Sequence, residues 1–339
     1  MSAVDRHPGR PGFLVAAISI ALCLIGSTPG LAFLPLGISF GGNVMLLRWD
    51  HLPVRYFVTN RSAGSVDPAA FQDAVGRAFD TWTAVPTAST SYVFGGYTDA
   101  LPGEDDGLTT LGFADRPDLD RVLASTSFLV DVSTGAILES DIFFNSVFDW
   151  STSATGQAGR YDLQTVALHE IGHLNGLGHS ALGETEVTGS GRRVIASGAV
   201  MFPIAFGAGT TFNRALHEDD VAGLSTLYPE GGFNDDTGSL SGHVTKNGRG
   251  VFGAHVVAFN PSTGAMISAF SLNDEGRFAI LGLPPGPYVV RVEPLDDADA
   301  DSFVDGALDV DFRIAYYRRL VAVPAGGDSG AIEIAVAPK

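Results

Sequence analysis

The sequence predicts an α+β domain followed by an all-β domain. The chain has 339 residues, which is long for a single domain of roughly 100 to 200 residues. Helical periodicity occurs only before about residue 230, and beyond it short apolar runs alternate with Gly, Pro and Asn turns. With 45% hydrophobic and 17% charged residues, the chain has enough apolar side chains to fold both cores.

The first domain begins with a strand and a helix. Residues 44–60 contain an alternation of apolar and polar side chains, which favours a strand. Asp67 and Pro68 then predict a helix start, with Asp67 as the N-cap and Pro68 at the first helical position. The predicted helix carries one apolar face, made of Phe71, Val75, Ala78, Phe79 and Trp82.

Further strands and two more helices follow in the first domain. The segments 122–130 and 137–145 predict strands separated by a Ser-Thr-Gly turn. A second helix is predicted over about 162–174, and a third over about 217–228, where Pro229 ends it. The first domain therefore contains three predicted helices.

The second domain is predicted from its turns and its strand alternation. Residues 231–237 are rich in Gly, Asn and Asp, which indicates a linker and predicts that the two domains are independent. Beyond the linker, the apolar runs 254–259, 278–281 and 288–292 predict short strands of a sandwich. We therefore assign residues 238–339 to the second domain.

The N-terminus is interpreted as a cleavable signal peptide covering residues 1–32. Arg6 and Arg10 provide a basic start, residues 13–26 form an apolar run, and small residues precede a cleavage point after Ala32. The alternative is a retained anchor helix, because no charge occurs between Arg10 and Arg48. The apolar run is about 14 residues long, whereas a membrane span needs about 20, which favours cleavage.

Export has consequences for location and for metal chemistry. The only cysteine, Cys23, lies inside the signal peptide, and Leu22 before it disfavours a lipoprotein anchor. After cleavage the protein has no cysteine, so disulfides are excluded and a metal must be held by His and carboxylate groups. We expect a secreted or extracellular protein, or one in the periplasm or at the cell surface, with no stable membrane insertion. Residues 33–43 form only a short segment before the first domain at 44–230.

The charge balance restricts the class of partner. There are 20 Lys and Arg residues against 38 Asp and Glu residues, which gives a formal net charge of −18. This charge repels phosphate backbones and anionic lipid surfaces. We therefore expect no nucleic-acid partner.

One motif carries most of the chemical information. The eleven residues HEIGHLNGLGH, which begin at His169, fit the pattern HExxHxxGxxH at all five specified positions. His169 and His173 are one helical turn apart and so present two imidazoles on one helix face, with Glu170 beside them. Gly176 can take the backbone angles that end the helix and bring His179 round as a third ligand. Three neutral imidazoles leave zinc an open coordination position, which is typical of a catalytic site.

These residues resemble those of the metzincin zinc endopeptidases, and most closely the matrixin branch. His179 followed by Ser180 is similar to the matrixin ending of the zinc motif. The segment Ala-Val-Met-Phe-Pro, which contains Met201 and ends at Pro203, resembles the Met-turn that lies beneath the zinc in that family. The resemblance implies one catalytic zinc held by His169, His173 and His179, with Met201 and Pro203 as supporting residues.

A third segment resembles the final matrixin helix. It contains the adjacent pair Asp219 and Asp220, which in that family tie down the Met-turn and the mature N-terminus. The resemblance covers about residues 44–230. It implies a zincin-like α+β catalytic domain with a twisted, mostly parallel five-stranded sheet and three helices.

The chain departs from the matrixin pattern in two respects. It has no cysteine outside the signal peptide, so a propeptide cysteine that blocks the zinc is excluded. It also has no His between His51 and His169, so we expect the second, structural zinc of matrixins to be absent. Calcium stays open as a further ion near the acidic segments 104–106 and 115–120, although such loops are often simply solvated.

The second domain resembles the transthyretin-like sandwich known as the carboxypeptidase regulatory-type domain. The likeness rests on turn and strand patterns, including Gly242-His243-Val244 and the Leu-Pro-Pro-Gly run at 283–286. His243 and His255 lack metal-ligand spacing and are interpreted as surface or strand residues. The sequence assigns no chemistry to this domain.

Together these observations predict a secreted, monomeric, zinc-dependent metalloendopeptidase that hydrolyses peptide bonds in proteins. Zinc would activate a water molecule and Glu170 would act as the general base. The resemblance also implies that an extended substrate lies beside an edge strand, for which 122–130 is the candidate. The alternative is an exported adhesion or binding protein that keeps the metzincin fold as a scaffold. Retention of Glu170 favours the enzyme, because a scaffold has no use for a base beside the zinc ligands.

Overall fold

The structure of the protein is a computed structural model. The structure describes residues 15–19, 35–40, 43–189, 191–295 and 308–339. The signal-peptide cleavage point and Cys23 lie outside the described residues. Within the described ranges, no helix combines the length and apolar character needed to cross a bilayer.

The three predicted helices are present, and the structure adds two short turns that were not predicted. They are α1 Pro68–Thr83, α2 Leu163–Leu174, α3 Glu218–Leu227 and the single turn α4 Phe233–Asp236, with a 3₁₀ turn at Pro117–Leu119. The strands before α4 are β1 Val15–Ser19, β2 Gly37–Phe40, β3 Asn43–Leu46, β4 Val54–Thr59, β5 Tyr92–Thr98, β6 Thr109–Ala114, β7 Ala124–Asp131, β8 Ala136–Asn145, β9 Trp150–Ser151, β10 Tyr161–Asp162, β11 Gly183–Thr188 and β12 Gly191–Ser197. The strands after α4 are β13 Gly238–Lys246, β14 Arg249–Gly250, β15 His255–Phe259, β16 Met266–Phe270, β17 Arg277–Leu283, β18 Gly286–Glu293, β19 Ala315–Tyr316, β20 Val321–Val323 and β21 Ile332–Val336.

The first domain is built on a mixed sheet with the strand order β1-β7-β8-β6-β4-β5. The pairs β4·β5, β4·β6 and β6·β8 are parallel, whereas β7 runs antiparallel to β8. The strands β4 to β8 are therefore the predicted five-stranded, mostly parallel sheet. Strand β1, which lies inside the predicted signal peptide, adds a further antiparallel strand at the outer edge of β7.

Helix α1 packs onto this sheet through its predicted apolar face. Asp67 caps it by accepting a hydrogen bond from Ala70 N at 2.8 Å. Phe79 stacks on Tyr56 of β4 with ring centroids 4.2 Å apart. Trp82 is fully buried and donates from Nε1 to Leu168 O at 2.9 Å, which joins α1 to α2. The packing of α1 therefore fixes the position of α2 over the sheet.

The segment 44–60 differs from its prediction as one strand. It forms two strands, β3 and β4, which belong to different sheets, because β3 pairs with β2 while β4 lies inside the mixed sheet. Pro53 lies immediately before β4 and has no N–H to donate to a ladder. The alternation of side chains alone gave no sign of this interruption.

The second domain is a sandwich of two sheets. One sheet has the order β14-β13-β17, with β21 also paired to β13, and the other has the order β16-β15-β18-β19, with β20 also paired to β18. The predicted linker 231–237 contains α4, and Phe233 of this helix is buried against Gly282 of β17. His255 lies on β15 and is buried, and His243 lies on β13.

Candidate metal centre

Helix α2 supplies the first two residues of the centre and is almost wholly buried. Asp162 caps its start by accepting a hydrogen bond from Thr165 N at 2.9 Å. The same carboxylate accepts a hydrogen bond from Arg214 Nε at 2.9 Å, so its charge is paired. Because the helix is fixed at its start and along its length, His169 and His173 project from a rigid element.

The three predicted histidines converge. One ligand nitrogen from each of His169, His173 and His179 lies within 4.8 Å of the others. The Nε2 atoms of His173 and His179 are 3.2 Å apart. Two imidazoles that bind one tetrahedral zinc at about 2.0–2.1 Å would have their nitrogens about 3.3 Å apart. The observed separation therefore fits a shared zinc ion.

Backbone carbonyls set the tautomer of two of these imidazoles. His169 Nδ1 lies 2.8 Å from Val200 O, and His173 Nδ1 lies 2.7 Å from Leu177 O. A carbonyl oxygen only accepts, so each Nδ1 carries the proton and each neutral ring keeps the lone pair on Nε2. In metalloproteins, a hydrogen bond from the ring nitrogen that does not bind the metal orients the histidine in this way.

Burial keeps the imidazoles of His169 and His173 uncharged. It lowers the pKa of His169 to about 3, with the nearby His179 imidazole lowering it further, while the hydrogen bond to Val200 O opposes the shift. Burial also lowers the pKa of His173 well below its usual value. Metal ligation requires neutral imidazoles, so the site is prepared for a cation at neutral pH.

Glu170 is buried beside the triad and is held by a residue that the sequence did not single out. Thr126 Oγ1 donates to Glu170 Oε2 at 2.6 Å and also lies 3.1 Å from Glu170 O. Burial raises the pKa of Glu170 to about 7, and the Thr126 hydrogen bond opposes the shift. Thr126 belongs to β7, so the strand next to the proposed substrate position also fixes this carboxyl group.

Gly176 ends α2 in the manner the sequence predicted. Its φ angle is +92°, a conformation that favours glycine, and Leu177 N bonds back to Gly172 O at 3.1 Å. A Cβ on Gly176 would overlap the carbonyl oxygen of Leu47. The chain can therefore reverse towards His179 only because this residue lacks a side chain.

The Met-turn segment lies directly against α2. Met201 is buried, and a Cβ on Gly172 would overlap its sulfur atom. Pro203 is half-buried at the end of the segment. Ser180 N donates to Met201 O at 2.9 Å, so the residue after His179 is tied to the Met-turn.

The adjacent aspartates at the start of α3 contact different partners. Asp220 accepts hydrogen bonds from Val200 N at 2.8 Å, Met201 N at 3.1 Å and His217 N at 2.9 Å. Asp219 accepts from Ser268 N of the second domain at 2.8 Å. Both side chains are buried, and burial raises the pKa of both carboxyl groups, to about 7 for Asp219.

The acidic segments considered for calcium make ordinary protein contacts. Asp118 pairs with Arg116 at 2.7 Å, and Asp106 accepts from Leu108 N at 2.9 Å. Two buried carboxyl groups on β8 lie against the 103–107 loop, where Asp141 accepts from Gly103 N at 2.6 Å. Calcium at these segments stays a prediction.

Comparison with known proteins agrees with this geometry. A family model described as Matrixin matches residues 48–229, which is more than half of the chain. The chain belongs to the matrixin family. This assignment places it among the metalloproteases, and the mixed sheet with few helices is the matrixin catalytic domain. A second model, described as the carboxypeptidase regulatory-like domain, matches residues 239–308 of the sandwich.

Individual relatives are distant. This matrixin is 29% identical to matrix metalloproteinase-16 of Rattus norvegicus over 189 residues, which cover 53% of this chain and 27% of that protein. It is 31% identical to metalloendoproteinase 2-MMP of Arabidopsis thaliana over 222 residues, which cover 61% of this chain and 46% of that protein. The chain thus spans less than half the length of these relatives. Among solved structures, the Bacillus anthracis TIE protein aligns at 16% identity with a TM-score of 0.22, over 30% of this chain and 17% of that one.

Substitution of Gly176 should disturb the centre through the backbone. We expect Gly176→Ala to destabilise the protein by more than about 2 kcal/mol, because both its φ angle and its overlap with Leu47 O oppose a Cβ. Gly64→Ala is the matched control, since Gly64 also has positive φ but has open space around it, and should cost about 1 kcal/mol. Denaturant unfolding measures both. Equal losses for the two variants would contradict the close approach at Leu47.

Removal of the third histidine should weaken metal binding. We expect about one zinc per chain in the wild type and at least a tenfold weaker affinity in His179→Ala, because two imidazoles alone remain. His243→Ala is the control, since His243 lies on β13 of the sandwich. Metal analysis after dialysis against a weak chelator gives the stoichiometry. Full zinc occupancy in the His179→Ala variant would contradict the ligand assignment.

Proposed function

We propose that this matrixin is an exported, monomeric, zinc-dependent endopeptidase that hydrolyses peptide bonds in proteins. The zinc ligands are His169, His173 and His179, and Glu170 is the general base. The observation that carries the proposal is the convergence of three imidazoles, His169 and His173 from α2 and His179 from the segment after it, beside the buried carboxyl group of Glu170. A metal scaffold requires only the imidazoles, whereas hydrolysis also requires the base.

Each residue of the centre has a separate task in the proposed reaction. When bound, zinc supplies Lewis acidity, which polarises a carbonyl group and acidifies water. Glu170 accepts the proton of the attacking water and passes it to the leaving amine. Thr126 occupies one oxygen of this carboxyl group, Oε2, so the other oxygen is left for the proton transfer. The raised pKa of Glu170 places it near neutral pH, where a group can both accept and return a proton.

The substrate is proposed to lie along the outer edge of β7. In the structure β1 occupies that edge in antiparallel register, with Ser19 opposite Ser127 and Val15 opposite Asp131. This pairing supports the proposal, because it indicates that an extended chain fits the edge. Cleavage after Ala32 would remove β1 and leave the edge open for a substrate strand.

Export and the monomeric state complete the proposal. The basic start and apolar run of the N-terminus support export through a cleaved signal peptide. An extracellular or cell-surface location fits a protein whose described core contains no cysteine.

Replacing Glu170 separates hydrolysis from metal binding. Glu170→Gln keeps the side-chain size and all three imidazoles, so zinc should remain bound, but the amide cannot accept the proton. We expect peptide hydrolysis to fall by about 10²–10⁴ with unchanged zinc content. The control is Glu139→Gln, which alters a buried glutamate of β8 that accepts a hydrogen bond from Gly107 N. That variant should keep its hydrolytic rate within a few-fold.

The same assay tests the alternative of an adhesion or binding protein. If the wild-type protein binds zinc but hydrolyses nothing in a broad peptide library, the endopeptidase proposal is wrong. If Glu170→Gln loses zinc together with activity, the loss of activity has two explanations, the missing base and the missing metal. In that case the Glu170→Asp variant decides, since a shortened base should keep zinc and lose rate.

A further inference from the structure

The second domain packs on the loop that carries the third histidine. Leu182 and Ala199, from the two ends of the segment between His179 and Met201, form one buried cluster with Val257 of β15. Met266 of β16 packs against the same cluster. The loop therefore has its apolar side chains inside an interface between the two domains.

The sheet formed by β15 and β16 is buried on both of its faces. One face contacts the first domain, and the other packs inside the sandwich. Val257 is opposite Ser268 in the antiparallel register, so these two side chains lie on the same face of the sheet. That face meets the first domain. Val256 and Ile267, which alternate with them, are buried in the main apolar core instead. A sheet that is buried on both faces is part of the interior of the molecule.

A hydrogen-bonded path continues from this face to His179. Asp219 accepts from Ser268 N at 2.8 Å, lies 3.3 Å from Ser268 Oγ, and also accepts a hydrogen bond from the Ser180 side chain. Ser180 follows His179 directly in the chain. Asp219 is buried, and a buried carboxyl group needs such partners because unpaired burial is costly. One side chain thus joins the sandwich to the residue beside the third ligand.

A second contact supports α3 from the same domain. Helix α3 packs against β16 and β17. Ala222 of α3 and Phe233 of α4 both lie against Gly282. Since Asp220 on α3 holds Val200 N, and Val200 O meets His169 Nδ1, the sandwich also supports the element that orients the first histidine.

We propose that the sandwich is a structural part of the metal centre, in which Val257 and Ser268 act as positioning residues for the loop from His179 to Met201. This loop has no helix to hold its ligand, so ordering it costs conformational entropy. Contacts with a rigid sheet reduce that cost before the metal arrives. The proposal rests on the proposed zinc binding only for its metal readout, because loop order is measurable without metal.

Two neighbouring valines provide a matched test in the full chain. Val257→Ala leaves a gap at the interface with the loop, whereas Val256→Ala leaves one inside the sandwich core. We expect zinc transfer to a chromogenic chelator to be about tenfold faster for Val257→Ala than for wild type. For Val256→Ala we expect a change within about twofold, despite an equal or larger fall in melting temperature.

Hydrogen exchange of the metal-free protein measures the loop itself. The amides of Ser180, Val200 and Met201 are hydrogen-bonded in the structure and should be protected. Val257→Ala should speed their exchange about tenfold while α1 exchanges as in wild type. Uniform acceleration across both domains, or equal acceleration in Val256→Ala, would overturn the proposal.

Two serine variants remove fewer atoms and provide a second test if the valine variants do not fold. Ser268→Ala removes the hydroxyl group that approaches Asp219, and Ser271→Ala removes a buried hydroxyl group that bonds only within the sandwich, to Val251 O and Ala254 N. Ser268→Ala should speed loop exchange about threefold, because the stronger backbone bond remains. No difference between the serine variants, with both proteins folded, would overturn the proposal. If wild-type protein binds no zinc, the metal assignment fails, and the exchange comparison still decides the role of the sandwich.

Discussion

Two adjacent carboxyl groups at the start of α3 hold the parts of the centre that no regular element holds. Asp220 binds the backbone of the Met-turn, whose Val200 carbonyl meets His169, and Asp219 binds Ser180 beside His179. Burying two neighbouring acids opposes their ionisation, which is why their pKa values are raised. Several N–H donors and the positive end of the helix offset that cost. The pair therefore attaches both the loop and the Met-turn to the start of α3.

The residues of the centre therefore come from two kinds of element, a buried helix and a loop that other residues hold in place. His169, Glu170 and His173 lie on α2, which is capped, buried and joined to α1 through Trp82. His179 lies on a loop that depends on the glycine turn at its start and on contacts along its length. In His169 and His173, hydrogen bonds from ring Nδ1 to carbonyl oxygens leave Nε2 as the nitrogen able to bind a metal ion. Helix α2 thus fixes His169, Glu170 and His173, and the loop adds His179 as the third histidine.

The features that could be predicted from the sequence are those set by the spacing of neighbouring residues. The apolar face of α1, the zinc motif on α2 and the turn at Gly176 each follow from spacing or from one backbone requirement, so they could be predicted. Thr126 could not, because a threonine in an alternating strand looks the same whether or not it meets a carboxyl group. The segment 44–60 looked like one strand because periodicity ignores which sheet a strand joins. The composition of residues 231–237 predicted a linker and gave no sign that Phe233 within it is buried against Gly282 of the second domain.

The two sheets of the sandwich differ in which amino-acid substitutions they can accept. Val257 and Val256 show that β15 has no solvent-facing side at its centre, so a polar substitution on either face would be buried. The opposite sheet turns Ser241 of β13 and Glu333 of β21 outwards. Sequence divergence among relatives with this domain arrangement should therefore accumulate on the β13–β21 surface, which is also the side of the second domain that the described residues leave exposed.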